Sequence, residues 1–271
     1  MQNPEFFNAN VIKKSFEILK SRYWLFVGIS LAAYLISELI FGEWLPDLIF
    51  GLFPNSNSNF NLYGFVQFLA FPIDIIQTFM MAKLTEAQAR NQEFHLPELL
   101  KQSPKILWPI IRLTIILFCW VALPIVLIKI AEVSYRIELL SSIIGWVFIL
   151  FALFIFSIAQ YAILLREQNP WEAIESTKNL TKGYRWKTLG RIILIGLITV
   201  IPYMVISRII HNWDPWLIFL INQVMSVFFI NPLRVIAFTV NYLQIEDRYL
   251  IKTTASIPPP PQPEVVEPTQ S

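Results

Sequence analysis

One cysteine, two histidines and eight glycines are all that 271 residues contain of the types most metal and cofactor sites draw on. Each shortage closes off a chemistry. Cys119 alone allows neither a disulfide framework nor a cysteine metal cluster. His95 and His211 fall on opposite sides of the membrane in the topology developed below, so no histidine pair forms within one subunit. The few glycines include no phosphate-cradling loop, no nucleophile elbow and no dinucleotide fingerprint. No cofactor, no metal and no catalytic residue is therefore expected, and the chain is not read as an enzyme. Charge is scarce as well, at 15% of residues with a net of +2, which excludes a bulk polyanion binder and gives no reason to expect nucleic acid.

What the chain has instead is apolar surface. With 55% hydrophobic residues and a mean hydropathy of +0.55, it carries more than one soluble core of this length can bury, so a bilayer is the expected solvent. A spanning helix needs roughly 20 apolar residues at 1.5 Å each to cross about 30 Å of hydrocarbon. Stretches 23–41, 60–84, 106–130, 141–165, 191–210 and 215–243 qualify. The expected fold is an all-α polytopic bundle of about six transmembrane helices. The piece 45–53, set between Pro46, Gly51 and Pro54, is too short to cross and is expected in the interface. No small-residue cleavage site follows the first apolar run, so that run is expected to be retained.

Orientation follows from the cations, because positive residues in short loops stay cytoplasmic. One alternate set of connections holds Lys13, Lys14, Lys20, Arg22, then Lys83, Arg90, Lys101, Lys105, then Arg166, Lys178, Lys182, Arg185, Lys187, Arg191, and finally Arg248 and Lys252. The opposite set holds Lys129, Arg136 and Arg208. The protein is thus expected as a multi-pass cell-membrane protein with both termini cytoplasmic. Tryptophans agree, since indole favours the headgroup level: Trp24, Trp108, Trp171 and Trp186 mark one side, and Trp44, Trp146, Trp213 and Trp216 the other.

The cytoplasmic connections carry their own helices. Asn169, Pro170 and Glu172 read as an N-cap, a proline at the first helical position and a capping-box acid. The helix is expected to run to about Lys182 and stop at Gly183, with Trp171, Ile174, Thr177 and Leu180 as its apolar face and Lys178 and Lys182 toward water or lipid phosphate. Similar units at Ser15–Lys20 and Pro97–Lys101 precede the first and third spans. Sliding the chain by about 80 residues superimposes these units and lays Gln77 over Ser157 and Ala237, so three copies of surface helix, outward span and return span describe residues 1–252. Residues 253–271, with Pro258 to Pro261 and Pro263, are expected as a disordered cytoplasmic tail.

The stretch Trp171-Glu172-Ala173-Ile174-Glu175-Ser176, continuing through Leu180-Thr181-Lys182-Gly183-Tyr184-Arg185-Trp186-Lys187, resembles the signature before the penultimate span of the membrane domain of bacterial glycerophosphoryl diester phosphodiesterases. The last span, with Pro232, Ala237, Thr239 and Tyr242, is similar to that family's ending, although Leu243 and Gln244 replace the usual residues after the tyrosine. The resemblance covers roughly 11–250 and implies the stand-alone form, without the catalytic barrel and its metal-binding acids. It implies a fold rather than an activity.

Three functional readings follow, of which an intramembrane enzyme is the least favoured. A membrane scaffold or partner subunit suits the surface helices and the proline-rich tail, either of which offers a protein partner a docking site beside the membrane lipids. A permease or lipid-handling protein suits the repeat and the polar residues within the spans. Asp74 and Arg234 lie at similar depth in two inward-running spans, where a lone charge costs at least roughly 2.5–3.5 kcal/mol, so they are expected to meet. Arg112 is the third member of this candidate cluster, at a depth from which its side chain can also snorkel to the interface.

Overall fold

A computed structural model describes residues 11–41, 62–131, 138–211 and 213–255. Every regular element among them is helical. In chain order these are α1 (Val11–Ser21), α2 (Tyr23–Phe41), α3 (Leu62–Arg90), α4 (Leu96–Ala131), α5 (Glu138–Arg166), α6 (Pro170–Leu180), α7 (Arg185–Ile209), α8 (Pro215–Met225), a π-helical turn π1 (Ser226–Ile230) and α9 (Asn231–Ala255). Helices α2, α4, α5, α7 and the run α8–π1–α9 are long and apolar enough to cross a bilayer. At 29 residues α3 also has the length. The expected interfacial piece 45–53 and the proline-rich segment from Ile257 lie outside the described residues.

Helices α3, α5 and α9 form an inner triad in which each packs on the other two. Around it, each outer helix leans on two inner elements: α4 on α3 and α5, α7 on α5 and α9, and α2 on α3 and the π1–α9 segment. Burial follows this plan. Phe79, Ala159 and Thr239, one from each inner helix, expose no surface. Thr239 hides its hydroxyl by donating to the Val235 carbonyl at 2.8 Å, which removes the cost of an unpaired polar group in the core. The outer helices instead present large apolar side chains outward, among them Leu39, Phe118, Met204 and Ile209. An apolar surface of that extent is what a lipid-facing bundle requires and a water-soluble one avoids.

Three local features depart from the sequence reading or refine it. Residues Pro97–Lys101, expected as a separate surface unit, continue without a break into the third span as part of one 36-residue helix, α4. At 1.5 Å per residue that is roughly 54 Å, so part of α4 must stand clear of a 30 Å core. The final span contains a π-turn directly before Pro232: proline cannot donate to the ladder, and the Asn231 N–H reaches back to the Ser226 carbonyl instead. That final helix also runs on to Ala255, past the boundaries expected at 243 for the span and 253 for the tail.

Candidate functional site

The ends of the inner triad that carry the cations converge on a charge cluster. Arg166, the last residue of α5, is its hub. Its Nε donates to Glu246 Oε1 at 2.6 Å and its Nη2 to Glu246 Oε2, a fork-to-fork contact with α9, while Nη1 donates to Glu86 Oε1 of α3 at 2.6 Å. Both contacts join residues 80 apart in the chain. Arg90 closes the group from α3, with Nη2 at 3.1 Å from Glu246 Oε2 and 3.5 Å from Asp247 Oδ1, and Nε 3.5 Å from Glu86 Oε1. Lys83 lies 3.6 Å from Glu86 Oε2 and donates to the Leu165 carbonyl at 2.9 Å, satisfying a backbone acceptor at the α5 C-terminus. The Tyr242 hydroxyl donates to Glu246 Oε1 at 3.4 Å.

Three cations thus face three carboxylates in a largely buried setting, with the Arg166, Glu86 and Glu246 side chains 28%, 10% and 13% exposed. The arrangement binds the three inner helices at one end. Helix phase makes it possible: Lys83, Glu86 and Arg90 recur at spacings of three and four, so they share one face of α3. The local backbone then ends both helices on the spot, with Asn91 and Glu167 at φ +53° just after α3 and α5. One acceptor is left over: Asp247 Oδ1 is buried without a hydrogen bond.

The residues singled out from sequence are distributed differently. Asp74 and Arg234 lie within electrostatic reach of each other on α3 and α9, yet no ion-pair contact joins them and both side chains are exposed on the bundle. Tyr161 of α5 is buried beside them, close to Thr239 and within the field of Arg234. Arg112 stands apart, over the Trp108 ring at 4.8 Å, one turn toward the cationic end. Helix α6 has its expected start: the Asn169 N–H donates to Glu172 Oε2 at 3.2 Å with Pro170 at the first position, and Gly183 adopts φ +86° after its end. Its buried face is rotated from the expected one. Ala173, Thr177 and Thr181 are inside against the bundle, Ile174 and Leu180 are half-buried, and Trp171, Lys178 and Lys182 are exposed. Small residues allow α6 to approach α5 closely, and both threonine hydroxyls are satisfied by carbonyls one turn back at 2.7 Å.

Sequence reading treated Arg166, Lys83 and Arg90 as loop-edge cations and overlooked the cluster. The signal was present. Extending the 80-residue register nine positions beyond Gln77, Ser157 and Ala237 lands on Glu86, Arg166 and Glu246, where the sign of the charge alternates. No family model, curated protein or solved structure matches this chain.

Proposed function

We propose that this chain is a six-span membrane protein with cytoplasmic termini that serves as a scaffold or partner subunit rather than as an enzyme. The charge cluster carries the reading. Its cations and carboxylates are largely spent on one another, which suits a clasp that fixes the inner helices. At the same end α1 and α6 dock on the inner triad, and α6 turns Trp171, Glu172, Glu175 and Lys178 outward from that rigid base. An exposed, mixed aromatic and charged helix on a fixed platform is the kind of surface a protein partner reads.

The fold is proposed to arise from three units of about 80 residues, each a surface helix followed by an outward and a return span. The equivalent placement of Glu86, Arg166 and Glu246, and the cyclic order in which outer helices bridge inner ones, support that origin. Kinship with the phosphodiesterase membrane domain is proposed on the motif around Trp171 to Lys187, which spans α6 and the start of α7.

A photo-cross-linking residue placed at Glu175 tests the function in intact cells. A single, abundant protein adduct, lost when the cross-linker is moved to a lipid-facing position such as Leu197, is the expected result. The second reading, transport, draws on Asp74, Tyr161 and Arg234, which place one polar group from each inner helix in the span region. Proteoliposomes that move solute, and stop doing so in Asp74→Asn, would replace the scaffold reading by that one.

A further inference from the structure

Beside the clasp, and separate from it, the start of α7 and the last turns of α9 enclose a cleft whose lining includes Lys182, Tyr184, Lys187, Arg191, Arg248 and Tyr249. Four of the nine residues that line it are cations. Its free volume is about 30 Å³, room for roughly two waters at 10–15 Å³ each, or for one phosphate-sized group, and too little for a whole metabolite. Among the described residues three of them, Lys182, Lys187 and Arg191, are not neutralised in the way the cations of the clasp are. Arg191 bonds to the neutral Gln244 at 3.3 Å and is repelled by Arg248, and Lys182 and Lys187 make no ion pair among the described residues. Arg248 also lies over the Tyr184 ring, 5.9 Å from its centroid, which holds that guanidinium at the rim. Like charges gathered around a small opening favour an anion between them.

The surroundings identify the source of the anion. Trp186, 85% exposed, and Tyr184 sit beside the cleft, as interfacial aromatics do at headgroup level. Along α7 from Lys187, the same face continues through Leu194 and Ile201, both exposed and apolar, at intervals of seven residues. A phosphate held at Lys187 and Arg191 would therefore have its acyl chains laid on an apolar helix face that already requires lipid. A free phosphate has no use for that stripe.

We propose that this cleft is a binding site for the phosphate of an anionic phospholipid, and that its occupancy ties α7 to α9 at the cationic end. The inference rests on the membrane placement proposed above. It is distinct from the clasp, whose cations are already paired.

Full-length protein in phosphatidylcholine nanodiscs, titrated with short-chain phosphatidylglycerol and followed by native mass spectrometry, provides the test. Wild type is expected to retain phosphatidylglycerol, with Lys187→Gln/Arg191→Gln weakening retention at least about tenfold and the control Lys101→Gln/Lys105→Gln changing it less than about twofold. Lys182→Gln/Lys187→Gln alters only exposed side chains and serves where the first variant fails to fold; it is expected to weaken retention several-fold. Equal losses in cleft and control variants would mean diffuse surface attraction and overturn the site. Displacement of the lipid by millimolar inorganic phosphate would assign the cleft to a soluble phosphorylated ligand and overturn the lipid source. If the protein does not enter nanodiscs at all, the membrane placement fails; if it enters and shows no headgroup preference, only this site fails.

Discussion

Two polar groups lie on the same inner helices, about twelve residues or roughly 18 Å apart along the axis, and they are built in opposite ways. At the cationic end Glu86, Arg90, Arg166, Glu246 and Asp247 interlock within a few ångström. Nearer the middle, Asp74 and Arg234 sense each other's charge without touching, and their side chains lie on the surface of the bundle. Within each group the partners share a depth and carry opposite signs; helix phase is what differs between the groups. The clasp forms because each helix turns its charged face toward the triad axis and a bidentate guanidinium spans the gap. Asp74, with one methylene, cannot make up a difference in rotation.

The sharpest way to break this contrast is to remove the hub. Arg166→Met leaves Glu86 and Glu246 near each other with only Lys83 and Arg90 to offset them, and breaking a buried pair costs about 3–5 kcal/mol. With the hub side chain 28% exposed, solvent screening lowers the expected loss to about 2–4 kcal/mol, read as a fall in the unfolding midpoint in detergent. Adding Glu86→Gln and Glu246→Gln to Arg166→Met should return part of it, because the two carboxylates no longer repel each other while Arg90 keeps Asp247 and Lys83 keeps the Leu165 carbonyl. An unchanged midpoint in the single variant would show that the clasp holds nothing.

A pair of double-mutant cycles sharpens the comparison. Arg166→Gln with Glu246→Gln should show a coupling of about 1–3 kcal/mol, and Asp74→Asn with Arg234→Gln below about 0.5 kcal/mol. Equal couplings would mean that the mid-span charges meet after all. Smaller again is Lys83→Met, which removes a donor from the α5 C-terminus and one edge of the clasp; a loss of about 1 kcal/mol is expected in the same unfolding measurement. Ending the chain after Ala255 should move stability by less than about 0.5 kcal/mol, since a proline-rich polar segment buries little. A larger shift on that truncation would show that the tail packs on the helices.

Hydropathy and local punctuation were enough for the helices. Runs of apolar residues located α2, α5, α7 and the final span, and Asn169, Pro170, Glu172 and Gly183 located α6, because caps and turn residues act on their own few neighbours. The π-turn before Pro232 was less legible, since a proline announces a disturbed ladder but not the form the repair takes. The face of α6 was misread because apolarity predicted its buried side, whereas close approach to α5 selected alanine and two threonines.

By itself, then, the sequence determined a helical protein rich in apolar surface, the positions of most of its helices and the gathering of cations in alternate connections. These depend on spacing within a helix, which the chain states directly. Which charges would pair was decided by tertiary structure alone. The partners Glu86, Arg166 and Glu246 are 80 residues apart, and their contact depends on the rotation of three helices about their own axes, a quantity set by how Phe79, Ala159 and Thr239 pack at the centre.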